Sequence, residues 1–209
     1  MVKSSSRRWL QRQAKDPYVK AAKRQGLRSR ASFKLAEVQE KDRLFRPGQW
    51  VLDLGAAPGG WCQMATQWIG PRGHVVAVDL LPMAAIAGVT FIQGDFQDDA
   101  TAARIREALG DHQVAIVMSD IAPNITGIRA VDQPRSMRLA ELAWEMAQEV
   151  LAPGGHFLIK VFQGEGFEDF VRSLRKSFDK VVIRKPPASR AESREHYILG
   201  KGYKCISGA

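Results

Sequence analysis

Apolar and polar positions along the chain fall into short blocks whose period switches between about two and about 3.6, the alternation of strands with helices. Pro47-Gly48 punctuates the chain ahead of a first strong strand, Trp50-Val51-Leu52-Asp53-Leu54. Further strands are predicted at Val75–Val78 ending on Asp79, Val89–Gln93, Val114–Ser119 ending on Asp120, and Gly155–Val161, with closing strands at Val181–Arg184 and His196–Leu199. Helices are predicted from Ser32 to about Lys41 and over Trp61–Ile69, Ala100–Leu109 and Phe167–Ser177. The longest is expected over Ser136–Leu151, with Leu139, Leu142, Ala143, Met146 and Val150 on one face and a stop at Pro153-Gly154-Gly155. Such alternation implies right-handed βαβ units, hence an α/β, Rossmann-like domain: a mainly parallel seven-stranded sheet with helices on both faces. Ligands on such sheets bind beyond the carboxyl ends of the strands. Gly55, Asp79, Asp95, Asp120 and Lys160 all end or closely follow predicted strands.

Composition narrows this picture. A chain of 209 residues suits one α/β domain with a short appendage. The longest apolar runs, near Val114–Met118 and Phe157–Ile159, are far too short for a membrane span, so no membrane partner is expected. Net charge is +9 and unevenly spread: residues 1–34 hold eleven Lys/Arg against the single acid Asp16, residues 35–171 hold ten against eighteen, and residues 172–204 hold ten against three. An acidic body with basic ends is the layout of an enzyme whose termini grip a polyanion, although a lone charge run also occurs as a solvated tail. Residues 1–30 are therefore read as a basic RNA-contacting arm, helical in part, and residues 31–209 as one domain. Cys62 and Cys205 are too far apart for a ligand pattern, and His74, His112, His156 and His196 are scattered, so neither a metal nor a disulfide framework is expected, which fits a cytoplasmic setting. The opening ten residues lack an apolar core for a secretory signal. Their Ser/Arg-rich, acid-poor composition is also that of a mitochondrial presequence, but the basic character runs unbroken into the Phe33-Lys34-Leu35 helix. No exposed apolar stripe calls for a dimer, so a monomer is expected.

The loop Asp53-Leu54-Gly55-Ala56-Ala57-Pro58-Gly59-Gly60-Trp61 joins the first strand to its helix. Glycines there keep side chains from holding a ligand off the backbone amides. It is not a dinucleotide loop: Ala57 stands where the second glycine would be, and Pro58 removes one of the N–H donors a pyrophosphate needs. A zwitterionic amino-acid tail tolerates that loss better. Asp79 can accept both hydroxyls of a cofactor ribose, and Asp95, after Gln93-Gly94, can accept from an adenine amino group. Trp61 is either a core residue at the helix start or a stacking partner beside the cofactor, and Cys62 is read as small packing. Lys160 sits among apolar neighbours in Ile159-Lys160-Val161-Phe162 and needs a carboxylate, for which Asp120 of Ser119-Asp120-Ile121-Ala122-Pro123-Asn124 is the natural candidate.

Five segments in order carry a resemblance. Arg28-Ser29-Arg30-Ala31-Ser32-Phe33-Lys34-Leu35, the Asp53–Trp61 loop, the Ser119–Asn124 segment, Lys160-Val161-Phe162-Gln163-Gly164 and Ser189-Arg190-Ala191-Glu192-Ser193-Arg194-Glu195 resemble the FtsJ/RrmJ family of bacterial heat-shock 2′-O-ribose methyltransferases of large-subunit ribosomal RNA. The resemblance runs from about Arg7 to Leu199, with Cys62 standing where a serine is expected. It implies an S-adenosylmethionine-dependent methyltransferase fold, S-adenosyl-L-methionine as cofactor, and ribosomal RNA, with a uridine as target, as substrate within the large subunit. It also implies a Lys34, Asp120, Lys160, Glu195 catalytic tetrad, and cofactor contacts at Gly59, Trp61, Asp79, Asp95 and Asp120, to which the loop adds Gly55. The chemistry is compatible: a ribose hydroxyl must lose its proton as it attacks, which needs a base and alignment. Lys160 is assigned as base or steering group and Lys34 as the holder of ribose or phosphate, with Asp120 bridging cofactor and Lys160, and Glu195 holding the lysines. Glu192 is a rival for that last role. A nicotinamide oxidoreductase and a non-catalytic RNA-binding module are the competing classes; transfer-RNA and messenger-RNA cap enzymes compete within the resemblance.

Overall fold

The computed structural model describes residues 16–189 and 193–205. Helix α1 (Pro17–Arg24) and helix α2 (Ala31–Asp42) precede strand β1 (Trp50–Leu54), which is followed by α3 (Gly60–Ile69), β2 (His74–Asp79) and β3 (Val89–Gln93). Then come α4 (Asp99–Leu109), β4 (Val114–Ser119), α5 (Arg129–Val150), β5 (Leu151–Phe162), α6 (Phe167–Ser177), β6 (Phe178–Arg184) and β7 (Glu195–Tyr203). The strands form one seven-stranded sheet in the order β3-β2-β1-β4-β5-β7-β6. All are parallel except β7, which runs antiparallel to both β5 and β6. From β1 the chain builds outward to β2 and β3, then crosses to β4 on the other side. That reversal opens a crevice at the carboxyl ends of β1 and β4, where sheets of this kind bind ligands.

Strand alternation divides the core between the two faces of the sheet. Leu52, Leu54, Val76, Val78, Val117, Phe157, Ile159 and Val161 pack with α4, α5 and α6. Val51, Val75, Ala77, Ile116, Met118, Leu158, Tyr197 and Leu199 pack with α2 and α3. Among the described residues no helix is long and apolar enough to cross a membrane.

The longest helix departs from its sequence pattern. It begins at Arg129, not near Ser136, and carries Pro134 on its exposed face. Pro134 lacks the N–H that would reach back to Ala130, and a proline inside the pattern hides the helical start from a sequence reading. The buried stripe runs through Ser136, Met137, Ala140, Ala143, Trp144 and Ala147, while Leu139, Leu142 and Val150 lie half-buried at its margins. Small alanines let the helix axis approach the sheet closely, so the larger leucines are displaced to the sides. Strand β5 starts directly after this helix and bulges through Pro153-Gly154, where its register against β4 shifts. Helix α1 is docked: Asp16 caps it by accepting from Tyr18 N at 3.0 Å and pairs with Arg30, and Tyr18 packs on Phe33 with ring centroids 5.5 Å apart.

Trp144 joins α5 to the far half of the sheet, 5.3 Å from both Phe157 and Phe178 and edge-on to Tyr203 at 5.9 Å. Trp144→Ala should lower unfolding stability by about 3–5 kcal/mol, the usual cost of deleting a buried tryptophan, as read by chemical denaturation. A loss below about 1 kcal/mol would mean that these aromatic contacts do not hold the two halves together.

Candidate active site

The residue parity that divides the core also places the charges. Asp120 continues the Ile116–Met118 alternation of β4, Lys160 follows Leu158 on β5, and Glu195 and Tyr197 precede Leu199 on β7; all face the α2/α3 side. Register brings them level, with Ser119 opposite Ile159, Lys160 opposite Tyr197 and Phe162 opposite Glu195. Helix α2 crosses this face and delivers Lys34, one of its buried positions.

Two ion pairs result. Lys160 Nζ lies 3.0 Å from Asp120 Oδ1 and also donates to the Asp120 carbonyl. Lys34 Nζ lies 2.6 Å from Glu195 Oε1. Glu195 therefore holds Lys34 alone, rather than both lysines. Tyr197, fully buried, joins the pairs: its hydroxyl donates to Asp120 Oδ1 at 2.7 Å and its ring lies under Lys34 Nζ at 5.5 Å. Burial would raise the Asp120 carboxyl, but the charges of Lys160 and Lys34 and the Tyr197 hydrogen bond outweigh it and hold Asp120 below the usual carboxylate range. Burial and the same carboxylate push the Tyr197 hydroxyl well up, so it stays a donor. Tyr197 is a member of the cluster that sequence reasoning missed; the available signal is its place two residues after Glu195 on a strand, hence on the same face.

Two cavities open beside this cluster and share Gly55, Ala57 and Asp120. The larger, about 440 Å³, is bounded by the turns after β2, β3 and β4, including Asp79, Leu80, Asp95, Phe96 and Pro123. That volume is within the range of small-molecule sites. The Asp79 carboxylate is aimed by two backbone donors, Ala57 N and Leu81 N, both at 2.8 Å. Asp95 is half-buried at the other end and accepts from Gln97 N at 3.0 Å. The smaller cavity, about 190 Å³, is lined by Arg30, Lys34, Asp53, Pro58 and Trp61 among others. Asp53 is only 1% exposed and receives one weak donor, the Cys62 thiol at 3.0 Å. Burial, reinforced by the charges of Asp120 and Asp79, pushes its carboxyl up to about 7.

The same geometry gives neighbouring residues structural roles. Trp61 is 3% exposed and lines the smaller cavity, and its Nε1 donates to Ala31 O at 2.9 Å, so it also ties α3 to α2. Gly59 caps α3 at φ 96° and lines neither cavity; a Cβ there would meet Met83 and Ile86 at 2.8 and 2.9 Å. Its positive φ is a left-handed backbone that glycine adopts without strain. Gly55 lines both cavities, and a Cβ there would meet Ile121 at 2.9 Å. Arg184 is a two-pronged partner of Asp42, at 2.9 and 3.0 Å. Arg28 clasps Pro58, Ala84 and Ala85 through their carbonyls at 3.2, 2.7 and 2.8 Å, closing the first loop against the turn after β2. Glu192 and the arm positions Arg7, Arg8 and Arg12 lie outside the described residues.

The model of the FtsJ-like methyltransferases matches residues 27–203. The chain belongs to the FtsJ-like methyltransferase family. A ribosomal RNA large subunit methyltransferase E from Pseudomonas aeruginosa is 58% identical over 200 residues, covering 96% of this chain and 97% of that protein. The protein of that name from Pseudomonas fluorescens is 56% identical, covering 96% of each. A crystal structure from Plasmodium falciparum, of a protein assigned to the ribosomal RNA methyltransferases, superposes with a TM-score of 0.76 at 27% identity over 84% of this chain and 98% of its own. The lysine–carboxylate cluster lies within the matched residues.

Because Tyr197 links the two ion pairs, Tyr197→Phe isolates the link without emptying the core. Loss of one charge-assisted hydrogen bond, worth roughly 1.5–3 kcal/mol, should cut methyl transfer by about ten-fold or more. The melting temperature should fall by no more than a few degrees. Unchanged turnover would show that Asp120 is held well enough by Lys160 alone.

Proposed function

We propose that this FtsJ-like methyltransferase moves a methyl group from S-adenosylmethionine to the 2′-hydroxyl of a ribose, a uridine's, in large-subunit ribosomal RNA. The observation that carries the reading is the pair of linked lysine–carboxylate ion pairs against a wall shared by both cavities. The names of the Pseudomonas relatives support the choice of RNA.

The residues fit that cofactor. Asp53 is a buried carboxylate without a cation, facing the smaller cavity; the ammonium of an amino-acid tail would supply one. Asp79, with its carboxylate held by two amides, suits ribose hydroxyls, while Asp95 with the Phe96 wall suits an adenine. When bound, S-adenosylmethionine supplies an electrophilic methyl whose sulfonium leaves as a neutral thioether. The chain's own part is alignment and proton handling. Lys160 meets the acceptor hydroxyl, orients its oxygen by a hydrogen bond and, in its amine form, takes its proton. Asp120 keeps Lys160 beside the cofactor cavity, which it also lines. Lys34 holds the ribose or its phosphate, and Glu195 fixes Lys34. The basic arm of residues 1–30 and the basic stretch 172–204 suit an RNA laid across this edge.

Lys160→Ala should abolish methyl transfer while S-adenosylhomocysteine affinity stays within a few-fold, since the lysine meets the nucleophile and not the cofactor. Mapping of 2′-O-methylation on large-subunit RNA, with titration of the product cofactor, reads both. Near-normal turnover would remove Lys160 from the mechanism.

Asp53 gives a pH test. Its carboxyl sits at about 7, above the ordinary carboxylate value, so the cofactor-free protein holds the proton below that pH. A cationic amine favours the ionised form, so binding must displace the proton there. Affinity for S-adenosylhomocysteine should rise about ten-fold between pH 6 and pH 8 and level off above, with proton release at pH 6 measured by calorimetry in two buffers. Asp53→Asn should flatten the profile. A pH-independent affinity in the wild type would take Asp53 out of contact with the amine.

A further inference from the structure

Five large apolar side chains are prominently exposed among the described residues: Leu80, Leu81, Ile125, Ile128 and Ile183. Leu80 and Leu81 line the larger cavity, so a cofactor there accounts for them. Ile183 lies on the edge strand β6. Ile125 and Ile128 remain, 58% and 60% exposed, in the loop that leaves Asp120 and enters α5.

Their exposure is built in. The buried Asp132 carboxylate accepts from Thr126 N and Thr126 Oγ1, both at 2.8 Å, and from Gly127 N at 3.0 Å; Thr126 Oγ1 in turn accepts from Ile128 N at 3.1 Å. These four hydrogen bonds fix the turn that points both isoleucines outward. An idle loop has no use for such a clamp, since scattered surface apolar residues need no scaffold. Exposed Arg129 and Arg135 flank them, and neither forms an ion pair within 4.0 Å with a described carboxylate, whereas Arg106 and Arg138 of the same region do.

We propose that this clamped loop is a nucleobase subsite: Ile125 and Ile128 receive the face of a base at or beside the target nucleotide, and Arg129 and Arg135 its flanking phosphates. The inference rests on the reading of an RNA ribose as methyl acceptor. The loop begins at the cluster where that ribose must lie, on the α4/α5/α6 side of the sheet edge. The docked helix α1, with exposed Lys20, Lys23 and Arg24, belongs to the α2 side. A strand threaded through the cluster extends both ways, so it needs contacts on both sides. Single-stranded RNA is held through base faces on apolar or aromatic surface and phosphates on cations, which is the composition of this patch.

The test uses the full-length protein, large-subunit ribosomal RNA from cells lacking it, and methyl-labelled cofactor. Ile125→Ser with Ile128→Ser should raise the KM for RNA about ten-fold, with S-adenosylhomocysteine affinity and melting temperature unchanged. Ile125→Leu with Ile128→Leu should stay near wild type, because apolar surface is retained. Arg129→Gln with Arg135→Gln should lower the log–log salt dependence of RNA binding by about 0.7 for each phosphate no longer neutralised. A wild-type KM in the serine pair overturns the proposal, as does an equal rise in KM in the serine and leucine pairs. Failure of the wild-type protein itself to methylate the RNA would overturn the acceptor reading, and this one with it, and is recognisable because it precedes any variant.

Discussion

Two ammonium groups meeting at one sheet edge repel each other and are costly to desolvate, so each must carry its own carboxylate. Asp120 is the more constrained of the two. It ends β4 at the point where the sheet order reverses, lines both cavities, pairs with Lys160 and accepts from Tyr197. Breaking such a pair leaves a largely buried charge uncompensated, a loss of about 3–5 kcal/mol. Stability and chemistry therefore converge on one side chain. Tyr197 extends the arrangement, since the hydroxyl that fixes Asp120 belongs to the ring that supports Lys34. The two ion pairs behave as one unit, and substitutions within it should not add.

The sheet and much of the cluster are legible in the sequence. Short, nearly continuous apolar runs in Trp50–Leu54, Val114–Ser119 and Ile159–Phe162 mark buried strands bounded by chemistry-bearing residues, and βαβ connections put their carboxyl ends on one edge. Strand parity places Lys160, Glu195 and Tyr197 on the α2/α3 face. What parity cannot supply is strand order. That β7 inserts antiparallel between β5 and β6, bringing Glu195 opposite Phe162, is a tertiary outcome. So is the division of labour between carboxylates, in which Glu195 takes one lysine and not two.

Packing adds roles that a sequence pattern does not show. Trp61 lines the smaller cavity, and its indole N–H also satisfies the Ala31 carbonyl and so ties α3 to α2. Gly59 supplies the left-handed cap from which α3 starts. Pro134 reads as a helix boundary, yet sits inside α5 on the side that packs against nothing. Asp53 looks like an ordinary strand residue, but burial leaves its carboxyl raised to about 7, which a sequence pattern does not show. Cys62, the departure from the family's serine, belongs to this account, because a thiol donates more weakly than a hydroxyl and leaves Asp53 less satisfied.

Net charge is a further quantity that the fold redistributes. The basic ends suggest a broad grip on a polyanion, but much of that charge is internal. Arg30 joins Asp16 of the arm to the Ala188 carbonyl. Arg28 is held by three backbone carbonyls, and Arg184 and Lys201 converge on Asp42. These cations act as ties between the arm, the first loop and the closing strands. They set the orientation of α1 relative to Lys34, and they close the loop that frames the smaller cavity. Lys20, Lys23 and Arg24 on α1 and Arg129 and Arg135 beyond Asp120 are among the cations that remain exposed. Among the described residues, Arg28, Arg30, Arg184 and Lys201 thus serve the basic ends as structural ties before they serve as charge.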